Sequence, residues 1–576
     1  MMSTLSTRSL AFRPTSLRPT SLRLFSSSST SFIDGYSTPP PPLSNSPPPP
    51  SSKSIHVAES ASELKQLLLT YPPNETLKAL GLTKFSPSSL IPIDSTTSIF
   101  CAPPLSPPLP HHKTSSFSSL HSKLAPDASP SFSLATASPL DALAYTLGAY
   151  KYTRYKTSSP PTPSHPLLSL PALSDADLSF VSDCTNAVYV TRNLIKTPAE
   201  DLSPATLEAA LKSLHTATPS ATFTSYVGSD LLTPNAVFSE VRPGGTCNLI
   251  HAVGRAGLKP DRQPRLLDFN HVLDPSFPSI TLVGKGVTFD TGGLSMKSPG
   301  GMLNMKKDMG GAAHVIGLAK LLLDQQVPVN LRVLIPAVEN NVDADSIRPL
   351  DIVSSLSGLT TEIGNTDAEG RLILADALSL ASARNPDLIV DFATLTGAAR
   401  VALGLQVGAY FTNDDEVAAA IDKASTETQD PLWRLPLFSG YSKRMKSTTA
   451  DLRNVPADTG QGGAITAALY LQNFVGRSKR RVDETLLDDA LLASSFTADE
   501  LTNLGRRRDD KCPELFSAVT SSDAKLLKEL ALRAPRCDCK TQKWVHLDID
   551  SMPFGSPEAQ GMRAMFSVIK DLAAGI

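Results

Sequence analysis

The chain has 576 residues, 41% of them hydrophobic, so it can bury more than one core and exceeds the usual size of a single domain. Its formal net charge of -2 provides no long-range attraction to nucleic acid or to an anionic membrane surface. Its six cysteines are irregularly spaced and imply no disulfide framework, and no run of about 18 apolar residues predicts a membrane span. These properties favour a soluble globular protein with no nucleic-acid or membrane partner.

The first 33 residues contain no Asp or Glu and are rich in serine and arginine. This composition is typical of an organelle transit peptide, and the segment lacks the continuous apolar block of a secretory signal. Residues 23–29, in which an Arg-Leu-Phe run precedes four serines, resemble the end of a mitochondrial presequence. We therefore expect a mitochondrial location, with a plastid or a cytoplasmic protein as the alternatives. A proline-rich run follows, so residues 1–54 are predicted to be a leader and a linker.

Residues 55–172 are predicted to form a smaller N-terminal α/β domain. Within it, residues 56–71 have the apolar spacing of a helix, and the Pro/Ser-rich residues 158–171 indicate a surface loop near its end. Residues 175–194 then have the apolar spacing of a long helix. This helix could connect the first domain to the second.

The remainder, residues 173–576, is predicted to be a larger domain in which strands alternate with helices. Such alternation indicates an α/β fold with a mixed central sheet flanked by helices. Ligands of open α/β sheets gather at the carboxyl ends of the strands. The predicted elements are strands at 279–289, 330–338 and 386–393 and helices at 308–323 and 369–383.

The composition changes between residues 477 and 542, where basic clusters at 477–481 and 506–508 flank helical segments such as 522–532. We interpret this stretch as a solvated insertion rather than as a nucleic-acid-binding element. A retained intron in the gene would also produce such a stretch.

Four acidic residues lie at predicted element ends of the second domain. If the backbone near residue 367 is extended, Asp367, Glu369 and Arg371 share one face, and carboxylates that close repel unless a cation joins them. The alternative for this segment is a helix start, where acids are also favoured. Asp290 follows an apolar strand, and Asp308 could be the N-cap of a helix. Together, the four indicate a divalent-metal site, with Mg²⁺, Mn²⁺ or Zn²⁺ as the ion.

Two lysines belong to the same region. Lys285 lies within an apolar strand between two glycines, and Lys297 follows a Gly-Gly pair. A lysine beside two dications tends to lose its proton, and the neutral amine can then bind a metal. The sequence lacks the spacing of a nucleotide-binding P-loop around Lys285, and no GxSxG motif supports a serine hydrolase.

Residues 433–437 and 557–560 resemble the alphaproteobacterial branch of the leucine (cytosol) aminopeptidase family. Three further segments resemble the signature blocks of this family of two-metal peptidases. They are VGKGVTFDTGG at 283–293, MKKDMGGAA at 305–313 and NTDAEGRLILADAL at 365–378. The resemblance extends to residues 191–199, 391–398 and 462–469, and it covers residues from about 174 to the C-terminus apart from the insertion.

The resemblance implies hydrolysis of N-terminal residues, Leu and Met preferred, from short peptides by a water that two Zn²⁺ or Mn²⁺ ions activate. It also implies a homohexamer and a bicarbonate held by Arg371 as general base, with Lys297 as the second catalytic residue. The implied metal ligands are Lys285, Asp290, Asp308, Asp367 and Glu369. The residues implied to line the pocket for the first side chain are Met305, Thr394, Leu395 and Gly397.

Two other functions stay open at this stage. One is a non-catalytic structural or nucleic-acid-binding protein of the same fold, supported only by the basic clusters of the insertion. The other is a dipeptidase that acts mainly on Cys-Gly with the same chemistry.

Overall fold

The structure is a computed structural model. It describes residues 138–157, 173–458, 460–476, 542–553 and 558–575, together with short segments at 43–44, 53–58, 90–92, 97–101, 131–134 and 167–170. The predicted leader and nearly all of the predicted insertion, with its basic clusters and helical segments, lie outside these residues. No helix in the described residues is long and apolar enough to cross a membrane.

The N-terminal part of the chain forms a six-stranded sheet of order β1-β6-β5-β2-β4-β3, parallel except for the pair β3–β4. Its strands are β1 (Leu43–Ser44), β2 (Lys53–Ala58), β3 (Leu90–Pro92), β4 (Thr97–Cys101), β5 (Ser131–Leu134) and β6 (Leu167–Ser169).

Two predictions for this part of the chain were wrong. Residues 56–58, predicted to be helical, belong to β2, and residues 59–71 lie outside the described residues. Residues 167–169, predicted to be loop, form β6. Both segments pair with strands distant in sequence, because β2 lies between β4 and β5 while β6 lies between β1 and β5. Such ladder hydrogen bonds decide secondary structure over local spacing.

The second part of the chain is built on a nine-stranded mixed sheet of order β16-β15-β18-β14-β9-β11-β8-β7, with β10 also paired to β11. A small three-stranded sheet of order β12-β13-β17 lies beside it. The strands are β7 (Thr222–Val227), β8 (Arg265–His271), β9 (Ser279–Gly284), β10 (Gly286–Asp290), β11 (Asn330–Asn340), β12 (Ile352–Ser354), β13 (Thr360–Glu362), β14 (Leu388–Ala393), β15 (Gly408–Thr412), β16 (Leu432–Arg434), β17 (Leu452–Arg453) and β18 (Trp544–Asp548).

The three helices predicted at 175–194, 308–323 and 369–383 are present, with shifts of at most two residues at their ends. The long helix predicted from residue 175 begins there, after Ser174, whose side chain caps it in a capping box with Asp177. The α-helices of the described residues are α1 (Pro139–Gly148), α2 (Asp175–Lys196), α3 (Pro204–Ala217), α4 (Asn248–Gly254), α5 (Pro299–Met302), α6 (Gly310–Asp324), α7 (Gly370–Ala383), α8 (Gly397–Leu403), α9 (Asp415–Glu427), α10 (Gly463–Gln472) and α11 (Met562–Ala573).

The core has two layers, one on each face of the nine-stranded sheet. Successive strand residues point to opposite faces, so Leu282 and Val333 enter one cluster with α2 and α6. Their neighbours Val283 and Leu334 enter the other cluster, with α4, α7 and α10. This arrangement confirms the predicted α/β fold, in which helices flank both faces of a mixed sheet.

The central strands β18, β14, β9, β11 and β10 all run parallel to their neighbours in this group. Their carboxyl ends therefore meet at one edge of the sheet, where ligands of such sheets bind. The predicted strand 279–289 is divided at Lys285, which lies between β9 and β10 at this edge.

Candidate metal centre

The backbone of Lys285 is held between a strand end and a helix start. Its N–H donates to Phe392 O at 3.0 Å, and its carbonyl accepts from the N–H of Ala312 in α6 at 2.9 Å. Helix and strand approach this closely because Gly311 lacks a side chain, and a Cβ there would lie 2.0 Å from Phe392 O. The tight packing sends the Lys285 side chain along the edge of the sheet towards α7.

The Lys285 ammonium joins two carboxylates from different parts of the chain. Its Nζ lies 2.8 Å from Asp308 Oδ1 and 2.9 Å from Glu369 Oε1, and it donates to Thr394 O at 3.1 Å. All three charged side chains are buried, none of them more than 6% exposed. Gly370 makes room for the lysine, because a Cβ at that position would lie 2.4 Å from Lys285 Cε.

A second ammonium, that of Lys297, joins the other two carboxylates. Lys297 Nζ lies 2.8 Å from Asp290 Oδ2 and 2.5 Å from Asp367 Oδ1. Asp290 ends β10, and its Oδ1 accepts from Gly292 N and from Asn340 Nδ2, each at 2.8 Å. Both Gly292 and its neighbour Gly293 have positive φ, 88° and 62°, a backbone conformation that glycine adopts without strain.

The carboxylates form one compact group. Asp290, Asp367 and Glu369 each offer an oxygen, and these oxygens lie within 4.8 Å of one another. Asp308 joins them through Lys285. Two buried oxygens, Asp308 Oδ2 and Glu369 Oε2, accept no hydrogen bond from the described residues. Unpartnered buried oxygens are costly, and hard divalent cations are the partners that carboxylate oxygens favour, so the residues fit a metal centre.

Burial dominates the electrostatics of the group. It raises the pKa of Asp308 well above its usual range, and burial together with Glu369 raises the pKa of Asp290. Burial also opposes the charge on Lys285, but the attraction of Asp308, Glu369 and Asp290 is larger and raises the pKa of this lysine. Without metal, the positive charges of the two lysines therefore neutralise part of the negative charge of the carboxylates. Bound dications would supply that positive charge instead.

Arg371 lies in the first turn of α7, beside the carboxylates. Its Nη1 donates to Asn454 O at 2.7 Å, whereas its Nε donates to no described residue. Burial lowers the pKa of this guanidinium, and no carboxylate of the described residues lies within the 4.0 Å of an ion pair. A buried arginine with spare donors and no acid partner is suited to bind an anion.

Two local predictions were wrong, although the side chains converge. The segment around residue 367 is not extended, because Glu369 has helical φ and ψ (−78°, −36°) and is the N-cap of α7. The alternative, a helix start, describes the backbone, and the Glu369 side chain is directed into the cluster rather than to a cap. Asp308 caps no helix either: it lies in a 3₁₀ turn (Met305–Met309), and Met309 is the N-cap of α6.

Sequence reasoning missed the residues that hold this backbone in place. Asn454 is fully buried and bonds the loop before α7 through Gly364 N at 2.7 Å and Asn365 O at 2.6 Å. Thr366 Oγ1 donates to Gly292 O at 2.6 Å and so ties this loop to the glycine turn. Asn340 could have been found from the sequence, because it is a polar residue at the end of the apolar strand β11. Asn454 could not, because it lies about 90 residues from Gly364 and Asn365 and no local pattern marks it.

The predicted pocket residues lie next to Asp308. Thr394 follows β14 directly, and its Oγ1 donates to Asp308 Oδ1 at 2.9 Å. Leu395 is partly buried against the core, Gly397 begins α8 and is exposed, and Met305 opens the 3₁₀ turn that contains Asp308.

This fold and site define an α/β protein that presents four carboxylates and two lysines at the carboxyl edge of a mixed sheet. A sequence profile of the cytosol aminopeptidase family, catalytic domain, matches residues 189–493, and the chain belongs to this family. The resemblance seen in the signature blocks is thereby confirmed.

Individual relatives agree with this assignment. The probable cytosol aminopeptidase of Chlamydia abortus is 39% identical over 335 residues, 57% of this chain and 63% of that protein. That of Rhodopirellula baltica is 47% identical over 229 residues, 40% of this chain and 44% of that protein. The chain thus spans less than two thirds of the length of these curated relatives.

Solved structures match over more of the chain. The crystal structure of cytosol aminopeptidase from Coxiella burnetii superimposes with a TM-score of 0.69 at 34% identity, covering 91% of this chain and 98% of that one. The leucine aminopeptidase of Caenorhabditis elegans superimposes with a TM-score of 0.68 at 24% identity, covering 92% and 98%, which is a likeness of fold.

Proposed function

We propose that the protein is a two-metal aminopeptidase that removes single N-terminal residues, Leu and Met preferred, from short peptides. The observation that carries this proposal is the buried group of four carboxylates joined by Lys285 and Lys297 at the carboxyl edge of the sheet. Family membership supports the reaction class. The Leu and Met preference rests on the pocket residues and on the resemblance of the signature blocks.

The proposed ligands divide between two cation positions. By resemblance to the family, Asp290 and Glu369 would serve both positions, and each offers an oxygen to the compact group. Asp367, the most exposed of the acids, is assigned to the first position, whereas Lys285 and Asp308 are assigned to the second. Divalent metals such as Zn²⁺ or Mn²⁺, when bound, lower the pKa of water and polarise the scissile carbonyl.

Two basic residues of the chain are assigned to catalysis. Lys297 is the more exposed of the two lysines, 16% against 3%, and its ammonium can approach a substrate carbonyl oxygen and stabilise negative charge there. Arg371, with its spare donors, would hold a bicarbonate, which by family resemblance would supply a general base at this position. An apolar pocket separates similar side chains by only about 1–3 kcal/mol, so selectivity for the first residue should be broad.

The location and the assembly are proposals of the same kind. The acid-free, arginine-bearing first 33 residues support a mitochondrial address, and a homohexamer is proposed by family resemblance. A fluorescent fusion of residues 1–54 that stays cytoplasmic or enters plastids would contradict the first proposal. Light scattering that finds a mass other than six times that of the processed chain would contradict the second.

The main experiment measures hydrolysis of Leu-p-nitroanilide by the purified full-length protein. We expect turnover that chelator abolishes and that Mn²⁺ or Zn²⁺ restores, with two ions per chain by metal analysis. Glu369→Gln should lower kcat by about 10³-fold or more while circular dichroism shows an unchanged fold, because an oxygen ligand becomes an amide. Normal turnover in Glu369→Gln, or in the chelated protein, would contradict the proposal.

A further inference from the structure

A second charged cluster lies beside the metal centre, and it consists of Lys307, Asp550 and Arg400. Asp550 Oδ2 lies 2.5 Å from Lys307 Nζ and 3.2 Å from Arg400 Nη1. Lys307 and Asp550 are buried, at 9% and 4% side-chain exposure, whereas Arg400 is 40% exposed. Lys307 and Arg400 share the single carboxylate of Asp550, so the cluster has a net positive charge. The Arg400 guanidinium is the part of the cluster that solvent reaches.

The cluster is connected to the proposed site through the chain. Lys307 directly precedes the proposed ligand Asp308, and Arg400 lies on α8, one turn after Gly397. A Cβ added to Gly397 would lie 3.4 Å from Arg400 Nη2, so the guanidinium lies over the glycine that begins α8. The same loop carries Thr394, which donates to Asp308. Arg400 is therefore on the side of the site where the first side chain of a substrate would enter.

The guanidinium has donors to spare. Its Nη1 is used by Asp550, and within the part of the chain that the structure describes neither Nη2 nor Nε donates to an acceptor. Asp548, at the end of β18, is already satisfied, because it accepts from Leu395 N, Thr396 N and Thr396 Oγ1. Asp550 thus holds the Arg400 guanidinium through Nη1, while Nη2 and Nε are available to donate to a carboxylate.

We propose that Arg400 is a specificity-determining residue that binds a carboxylate on the first side chain of the peptide, so that N-terminal Glu is accepted besides apolar residues. This inference rests on the proposed aminopeptidase function and goes beyond it. The pocket then has two parts: Met305 and Leu395 provide apolar surface, and Arg400 provides a positive charge at its rim. Glutamate has both the methylene groups and the terminal charge that such a pocket fits.

The test compares kcat/KM for Glu-p-nitroanilide with that for Leu-p-nitroanilide in the metal-loaded full-length protein. Arg400→Met should lower the Glu value about tenfold, as expected for a charge-assisted hydrogen bond at a half-exposed site, and should change the Leu value by less than about twofold. Arg400→Lys should retain part of the Glu activity. High salt should weaken Glu turnover more than Leu turnover in the parent protein alone.

A matched control is Arg434→Met. Arg434 is equally exposed, at 38%, and also pairs with one aspartate, Asp415, but on a different part of the surface. Both substrates should be unaffected by this change. An unchanged Glu-to-Leu ratio in Arg400→Met, an equal fall for both substrates, or a parent protein that turns over Leu but not Glu would overturn the inference. A parent that turns over neither substrate would overturn the proposed function, and with it this inference.

Discussion

The two lysines of the metal centre make similar ion pairs in different surroundings. Lys285 and its partners Asp308 and Glu369 are almost completely buried, with side-chain exposures of 3%, 6% and 3%. Lys297 is 16% exposed, and one of its partners, Asp367, is 31% exposed. If the ion pair between Lys297 and Asp367 is broken, water can therefore solvate both groups, but it cannot readily reach Lys285 and its partners.

This difference in burial indicates that Lys285 serves mainly stability and Lys297 mainly catalysis. A buried charge left without a partner is destabilising, so Lys285 is required for the stability of the protein before any metal is considered. A partly exposed lysine contributes little to stability, and its value lies in the charge that it can bring to a substrate. Three substitutions test this difference, and two further positions supply controls for the first and the last of them.

The largest effect is expected for Lys285→Met, which keeps an unbranched apolar side chain and removes the ammonium group. In chelator, the free energy of unfolding should fall by about 3–5 kcal/mol, because Asp308 and Glu369 lose their shared partner. Adding Mn²⁺ or Zn²⁺ should restore part of the loss. Urea unfolding measures both quantities, with the surface pair variant Lys320→Met as the control that changes stability by less than about 1 kcal/mol. A loss no larger than that of the control would break the comparison.

Lys297→Ala should have the opposite profile. We expect kcat/KM for Leu-p-nitroanilide to fall about 10²–10³-fold, because a positive charge near the carbonyl oxygen is lost. The free energy of unfolding should fall by less than in Lys285→Met, by about 1–3 kcal/mol, because solvent reaches Asp367 while the buried Asp290 keeps its hydrogen bonds from Gly292 and Asn340. Steady-state kinetics and urea unfolding on the same preparation decide the matter. A Lys297→Ala protein that is as unstable as Lys285→Met but fully active would show that Lys297 serves stability and not catalysis.

The smallest effect is expected for Gly370→Ala, which sharpens the comparison by crowding only the inner lysine. A Cβ there would lie 2.4 Å from Lys285 Cε and 2.7 Å from its Nζ. The clash should cost about 1–3 kcal/mol, of which better helix propensity returns up to about 1 kcal/mol. Gly300→Ala is the matched control, since nothing lies within 4 Å of a Cβ at that position. A Gly370→Ala protein as stable as this control would show that Lys285 can move freely.

Much of the fold and of the site was predictable from the sequence. The strands and helices that alternate after residue 173 are long and apolar, and the helices begin within two residues of their predicted starts. The six positions now seen around one cluster of ion pairs were all named, because four acids and two lysines at element ends of one domain indicated a cation site and because their segments resemble the signature blocks of the family. In the N-terminal part, where strands are short and pair with distant partners, the same reasoning failed.

The sequence by itself determined which residues carry charge and that they lie near the ends of buried elements. Only the tertiary structure decided how these residues pair, that Glu369 reaches the cluster from a helix start, and that Asn454 holds the loop before α7. The physical reason is that local periodicity records how a segment buries its own apolar face. Pairing between charges depends on strand order and packing, which bring together residues far apart in the chain, such as Lys307 and Asp550, 243 positions apart.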